Sequence, residues 1–227
     1  MIKRRILSMT GAMKPLLFAA LLMAGCNGNA PKTVTDIDGN SYGTVKIGDH
    51  VWMSENLRVS RYRNGDPIPE VTAGASWAAQ SAGARCSYDN DAENGKTYGM
   101  LYNWRAVSDQ RGLAPEGWHV ASDKEWRELA EALGGDQEAG GALKAPGKWG
   151  DPASESGNGS GFDALPSGAR RDADGVFLMR GQFARFWTST PASNGKARAR
   201  ALGFYDNALR GGEVGPKNGF AVRCVKD

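Results

Sequence analysis

The run GWHVASDKEWRELAEALGG, Gly117 to Gly135, carries instructions for starting, burying and ending a helix. Ser122 followed three residues later by Glu125 makes a capping box, in which each side chain accepts a first-turn backbone N–H that has no intrahelical partner. The spacing predicts a helix starting at about Asp123. Trp126, Leu129, Ala130 and Leu133 then form one apolar stripe, Arg127, Glu128 and Glu131 face elsewhere, and Gly134 with Gly135 supplies a left-handed exit. Upstream, Trp118 and Val120 alternate with Gly117, His119 and Ala121, so a short strand runs into the helix. An acid/base pair made of His119 and Glu125 is the sharper reading. The pattern favours a core helix with a capping glutamate.

The first 26 residues hold Lys3, Arg4, Arg5 and Lys14, no acid, and an apolar run from Leu16 to Met23. This is the composition of an export signal, and the apolar run falls far short of the roughly 20 residues that span a bilayer. Its end, LLMAGC, resembles a bacterial lipoprotein box with Met23 where a leucine is more usual, which marks Cys26 as the lipidated first mature residue. Starts at Met1 and at Met13 both give such a signal. Asn27 after the cysteine points to the outer membrane or cell surface, and the lipid would be the only membrane attachment. Without the leader the net charge falls from +3 to −1, so no phosphate-neutralising stripe exists and nucleic acid is excluded as a partner. Cys86 and Cys224 then remain as an even pair in an oxidising compartment, the pattern of a disulfide, for which a chain-entropy argument gives about 4 to 5 kcal/mol as an upper figure.

Asn27 to Thr35 reads as a polar tether, with one domain from Asp36 to Asp227. Tyr42 to Ile47 and His50 to Met53 read as strands turned through Gly48 and Asp49. Asp36, Asp38 and Asn40 fit a β-turn better than a calcium loop, because the glycine comes too early and no acid follows at the twelfth position. A small-residue helix is expected around Ala75 to Ala82. Asp89, Asn90, Asp91, Glu93 and Asn94 place five oxygen-bearing side chains within six residues, a possible ligand loop or calcium site, with a solvated loop of Asx turns as the alternative. Tyr98, Met100, Tyr102 and Trp104 alternate as an aromatic strand face, either core or a surface for sugar stacking. A lesser helix is expected from Gln137 to Lys144. The Gly/Ser-rich stretch after it, with Trp149, Asp151 and Asn158, is long enough to be a binding loop. FDALPSGAR, VFLMRG, ARFWTST, ARALGFY and FAVRCV then read as short strands, giving an α+β fold with one main helix, a lesser one and short antiparallel strands between long loops.

The ordered motifs DIDGNSYGTVKIGDHVWMSENL, YDNDAENGKTYGMLYNW, GWHVASDKEW, GFDALPSGAR, FWTST and GFAVRCVKD resemble the Fibrobacter succinogenes major paralogous domain family of exported bacterial proteins. The resemblance implies an unusual C-type-lectin-like fold, distantly related to the formylglycine-generating, sulfatase-modifying enzymes, in a family without an established activity. Those enzymes use two reactive cysteines that bind copper, and the mature chain offers only Cys86 and Cys224. The calcium-binding triplets of sugar-binding C-type lectins, Glu-Pro-Asn or Gln-Pro-Asp and Trp-Asn-Asp, are absent. The expectation is therefore a non-enzymatic, lipid-anchored surface binding module, with no certain cofactor and calcium possible. Its partner would be a surface polysaccharide, a glycoconjugate or an envelope protein. A structural envelope lipoprotein is the alternative.

Overall fold

The helix specified by the capping box sits where the sequence puts it, and a computed structural model describes its surroundings for residues 31–150 and 159–227; Cys26 and the leader lie outside these. The first half holds β1 (Thr33–Thr35), β2 (Ser41–Ile47), β3 (His50–Met53), α1 (Gly74–Ala78), β4 (Arg85–Cys86), α2 (Ala92–Tyr98), β5 (Leu101–Tyr102) and α3 (Trp104–Val107). Then come β6 (Trp118–Val120), α4 (Asp123–Ala132), α5 (Ala139–Leu143), β7 (Ala169–Arg170) and β8 (Phe177–Leu178). The chain ends in β9 (Phe183–Pro191), β10 (Ala197–Gly203), β11 (Leu209–Val214) and β12 (Cys224–Lys226). This is an α+β architecture with antiparallel sheets.

At the start of α4, Glu125 Oε2 accepts the Ser122 N–H at 2.7 Å and the Ser122 hydroxyl accepts the Glu125 N–H at 3.3 Å. Trp126, Leu129 and Ala130 are buried, and Gly134 and Gly135 at φ 97° and 96° turn the chain away. The main sheet has the order β1-β2-β3-β12-β6, so the last strand lies between the first hairpin and the strand that feeds α4. Against it pack α4 and a second sheet, β11-β10-β9. Trp52 of β3, Trp126 of α4, Phe162 and Phe186 of β9 meet with neighbouring ring centroids 5.1 to 6.3 Å apart, all fully buried. Asp123, at the first position of α4, pairs with the buried Arg200 of β10 at 2.8 Å, so the helix end is tied to the second sheet.

Much of the remaining interior is loop, whose carbonyls have no ladder to join and still need donors. Buried cations supply them. Arg223 is 1% exposed; its Nε donates to Asn56 Oδ1 at 2.7 Å, Nη1 to the carbonyls of Met53 and Phe162 at 2.8 and 2.7 Å, and Nη2 to that of Asp163 at 3.2 Å. Arg170, equally buried, donates to the carbonyls of Gly175, Val71 and Thr72 and lies over Trp77 and Phe177. Indole N–H groups act likewise, from Trp77 to Lys217, Trp104 to Thr188, Trp149 to Ala164 and Trp187 to Tyr102.

Several expectations change. Thr33–Thr35 is not tether: it forms β1, pairing with β2 through Thr33 opposite Gly43 and Thr35 opposite Ser41. Tyr98 to Trp104 is no single strand; it ends α2, makes the two-residue β5 and starts α3, and Tyr102 is core. The helices α1 and α5 are shorter than the small-residue runs suggested. FDALPSGAR yields only the two residues of β7 as a strand; Phe162 and Asp163 give their carbonyls to Arg223, and Ala164 makes a single bridge to Lys144. In FAVRCV the first residues make single bridges to Tyr102 and Phe186 before β12 begins. The glycine-rich β11 was not legible from propensity.

The expected disulfide is not seen in the structure. Cys86 and Cys224 are free, and they belong to separate apolar clusters: Cys86 packs with Trp77, Tyr88 and Leu101, Cys224 with the residues around Tyr102 and Phe220. β4 holds Cys86 opposite Leu101, and β12 holds Cys224 opposite Val120. Burial pushes both thiols up, that of Cys86 to about 11.

Thiol titration of the unreduced Cys26→Ser chain should find neither cysteine in the native protein and both after unfolding in denaturant. Arg223→Met should cost about 3 to 5 kcal/mol, since it strips four acceptors of their donor, and lower the thermal midpoint by roughly 10 °C. Arg223→Lys should recover only part of this, because an ammonium lacks the planar fork that reaches several acceptors.

Candidate functional site

The acidic segment does not converge on a point. Asp89 and Asn90 form a turn with φ of 55° and 57°, and Asp91 caps α2 by accepting the Glu93 N–H at 2.9 Å. Asn90 donates to the Thr72 carbonyl and Glu93 pairs with Lys96 at 2.7 Å. Asn94 is buried, donating to the Tyr88 carbonyl and accepting from Arg180. Among the described residues no group of three or more His, Cys, Asp or Glu is placed to hold a metal ion. Asp36 is likewise a turn-maker, accepting from the backbone of Asp38 and Asn40 and, at 2.5 Å, from the Tyr42 hydroxyl, while Asp38 accepts from the Ser60 hydroxyl at 2.7 Å and pairs with Arg61 at 3.3 Å. Trp149 is 5% exposed, packed with the aromatic core and hydrogen-bonded to Ala164, so it offers no surface for contact. Asp151 and Asn158 lie outside the described residues.

His119 does meet Glu125, and a second acid as well. Its Nε2 lies 2.7 Å from Glu125 Oε1 and its Nδ1 lies 2.7 Å from Asp227 Oδ1. Two acceptors on two ring nitrogens call for two N–H donors, the imidazolium form. The Glu125 hydrogen bond is the main cause that raises the His119 pKa to about 9, with Asp227 adding to it against burial. Burial opposes ionisation of Glu125, but the bonds from His119 and Ser122 outweigh it and hold that carboxyl down at about 2. With both nitrogens occupied and the proton held, this cluster is a tie between β6, α4 and the end of the chain. A general base is a different arrangement. The other histidine, His50, faces Glu128 at 3.0 Å.

A cleft of about 340 Å³ has walls that come from four separated stretches. Ser54, Glu55 and Asn56 follow β3, and Lys96, Thr97 and Gly99 end α2. Pro146 and Lys148 follow α5, and Asp163 and Leu165 follow the Gly/Ser-rich stretch. Arg223 is its floor. Gly99 closes one wall: at φ 76° it brings its backbone so near Asn56 that an added Cβ would lie 2.6 Å from the Asn56 Cβ. The cleft thus lies at the roots of the two segments singled out in the sequence, bordered by neighbours of those residues. Lys96, Thr97, Lys148 and Ser54 carried no sequence signal, since no spacing links positions that only Arg223 and Gly99 draw together.

A family model, the Fibrobacter succinogenes major domain, matches residues 45–226, and the chain belongs to that family. The α+β order is compatible with the C-type-lectin-like arrangement expected of it. No curated protein and no solved structure matches the chain.

The His119 cluster sets a pH dependence. A raised histidine pKa gives stability that is complete below about 6.5, the unfolded value, and lost as pH rises through about 9. Because the ring is 41% exposed, screening limits the effect to about 1 kcal/mol or less. Denaturant unfolding at pH 6 and pH 9.5 should show wild type losing more stability than His119→Gln over that interval.

Proposed function

We propose that this chain is an exported, lipid-anchored binding module of the bacterial envelope, held by Cys26 at the outer membrane or cell surface, that recognises a polysaccharide or glycoconjugate in the cleft between Lys96 and Lys148. The observation that carries this reading is the lining of the cleft. Hydroxyls of Ser54 and Thr97, carboxylates of Glu55 and Asp163 and ammonium groups of Lys96 and Lys148 surround small apolar surfaces of Pro146 and Leu165. Such a mixture of donors and acceptors on a framework fixed by Arg223 suits a polyhydroxylated ligand, and about 340 Å³ lies at the lower end of the roughly 300 to 1,000 Å³ of small-ligand sites. The lysine- and arginine-rich leader supports export.

A non-enzymatic role is supported by the same geometry. Both thiols are buried with raised pKa, and His119 has both nitrogens engaged. Neither kind of group is poised as a nucleophile or base.

A glycan array probed with the full chain in detergent, with calcium and with chelator, tests the reading. Binding to at least one glycan class should persist in chelator, because the cleft recognises its ligand through side-chain donors and acceptors. Filling the cleft with Thr97→Trp should abolish it. Absence of all glycan binding, together with co-purifying envelope proteins, would favour the structural lipoprotein instead.

A further inference from the structure

The cleft does not stand alone. It shares Arg58 and Lys96 with a second hollow of about 280 Å³ that is lined by Glu70, Arg85 and Ser87, so the two form one groove. Its cations are Arg58, Arg85, Lys96, Lys148 and the buried Arg223, and its acids are Glu55, Glu70 and Asp163. The chain beyond the leader carries a net charge of −1, so this positive excess is local, and a concave, low-dielectric wall concentrates its field.

The cations differ in availability. Arg223 is engaged by four acceptors within the protein. Arg58 pairs with Glu55 at 3.1 Å and lies 4.6 Å from the Tyr42 ring centroid, and Arg85 pairs with Glu70 at 3.1 Å. Lys148 makes no ion pair among the described residues, and Lys96 has only Glu93, in a pair whose side chains are 71% and 75% exposed. A pair so exposed contributes little and exchanges readily for another anion. Two ammonium groups from different walls are therefore open to an acid, with Ser54 and Thr97, whose hydroxyls have no hydrogen-bond partner among the described residues, along the same lining.

The three carboxylates decide what kind of acid. A densely charged strand such as a nucleic acid would press phosphates against Glu55, Glu70 and Asp163. A uronic acid unit carries one carboxylate per ring, and its hydroxyls donate to carboxylates as readily as they accept from lysine. We infer that the groove selects an acidic glycan built of uronic acid units and seats a carboxylate between Lys96 and Lys148; this rests on the glycan-binding reading above.

The test uses the full chain in detergent against oligomers of galacturonate, glucuronate, mannuronate and guluronate, each alongside its methyl ester and a neutral oligosaccharide series. Binding of at least one uronate should fall about tenfold or more on methyl esterification, which leaves the protein untouched. It should fall similarly in Lys148→Glu with an unchanged unfolding midpoint, and be restored in Lys148→Arg. Binding of neutral glycans alone, or uronate binding indifferent to both esterification and Lys148→Glu, would overturn the acidic preference and leave the glycan-binding module standing. Binding of no glycan would overturn both.

Discussion

The structure depends on Arg223 and on the problem it solves. Loops that cross an interior carry carbonyls that no helix or sheet ladder can satisfy, and an unsatisfied buried carbonyl costs about 1 to 3 kcal/mol. A guanidinium brings five N–H donors in one plane, so a single side chain can serve several such groups. Arg223 does this for Met53, Asn56, Phe162 and Asp163, which belong to two stretches of the chain remote from each other and from Arg223. Phe162 and Phe186 lie over the same guanidinium, its centre 4.2 and 5.9 Å from their ring centroids. Arg170 repeats the arrangement around Trp77 and Phe177, and Lys144, 1% exposed, donates to the Asp206 carbonyl. Burying these charges is unfavourable in itself, and burial indeed pushes the Arg223 pKa down to about 9. The carbonyl dipoles offset that cost, and the charge is retained at neutral pH.

This constraint also explains the cleft. A cavity between loops persists only if its walls cannot collapse, and here the floor is a side chain bonded to four acceptors. One wall is fixed by Gly99, whose neighbour Met100 donates its N–H to the Leu57 carbonyl at 3.0 Å. Lys96 and Lys148 on the same lining, by contrast, are held only by the exposed Glu93 pair of Lys96 among the described residues. The rigid part and the available part of the site are thus different side chains, as a preorganised binding surface requires.

How much of this could be read in the sequence follows from the range of each interaction. The capping box, the exit glycines and the apolar stripe of α4 lie within one 19-residue stretch, and so do the strands flanking Gly48 and Asp49, so both elements emerged nearly residue for residue. The Asp36 to Asn40 turn was legible for the same reason. Asp89 to Asn94 remained ambiguous because the same Asx residues serve a capped turn and a cation equally well, and only the placing of Asn94 against Tyr88 and Arg180 separates the two. The cysteine pair misled because counting thiols says nothing of which apolar cluster each joins.

The sequence by itself determined the helix, the first hairpin and the family, since each is carried by neighbouring residues or by motifs in fixed order. Only the tertiary structure decided the sheet order, the separation of the two thiols, the burial of Trp149 and the cleft. These rest on contacts between residues distant in the chain, up to 170 positions apart in the bond of Arg223 to Met53. Such partners are chosen by which carbonyls the packing leaves without a donor, and no local pattern of side chains encodes that.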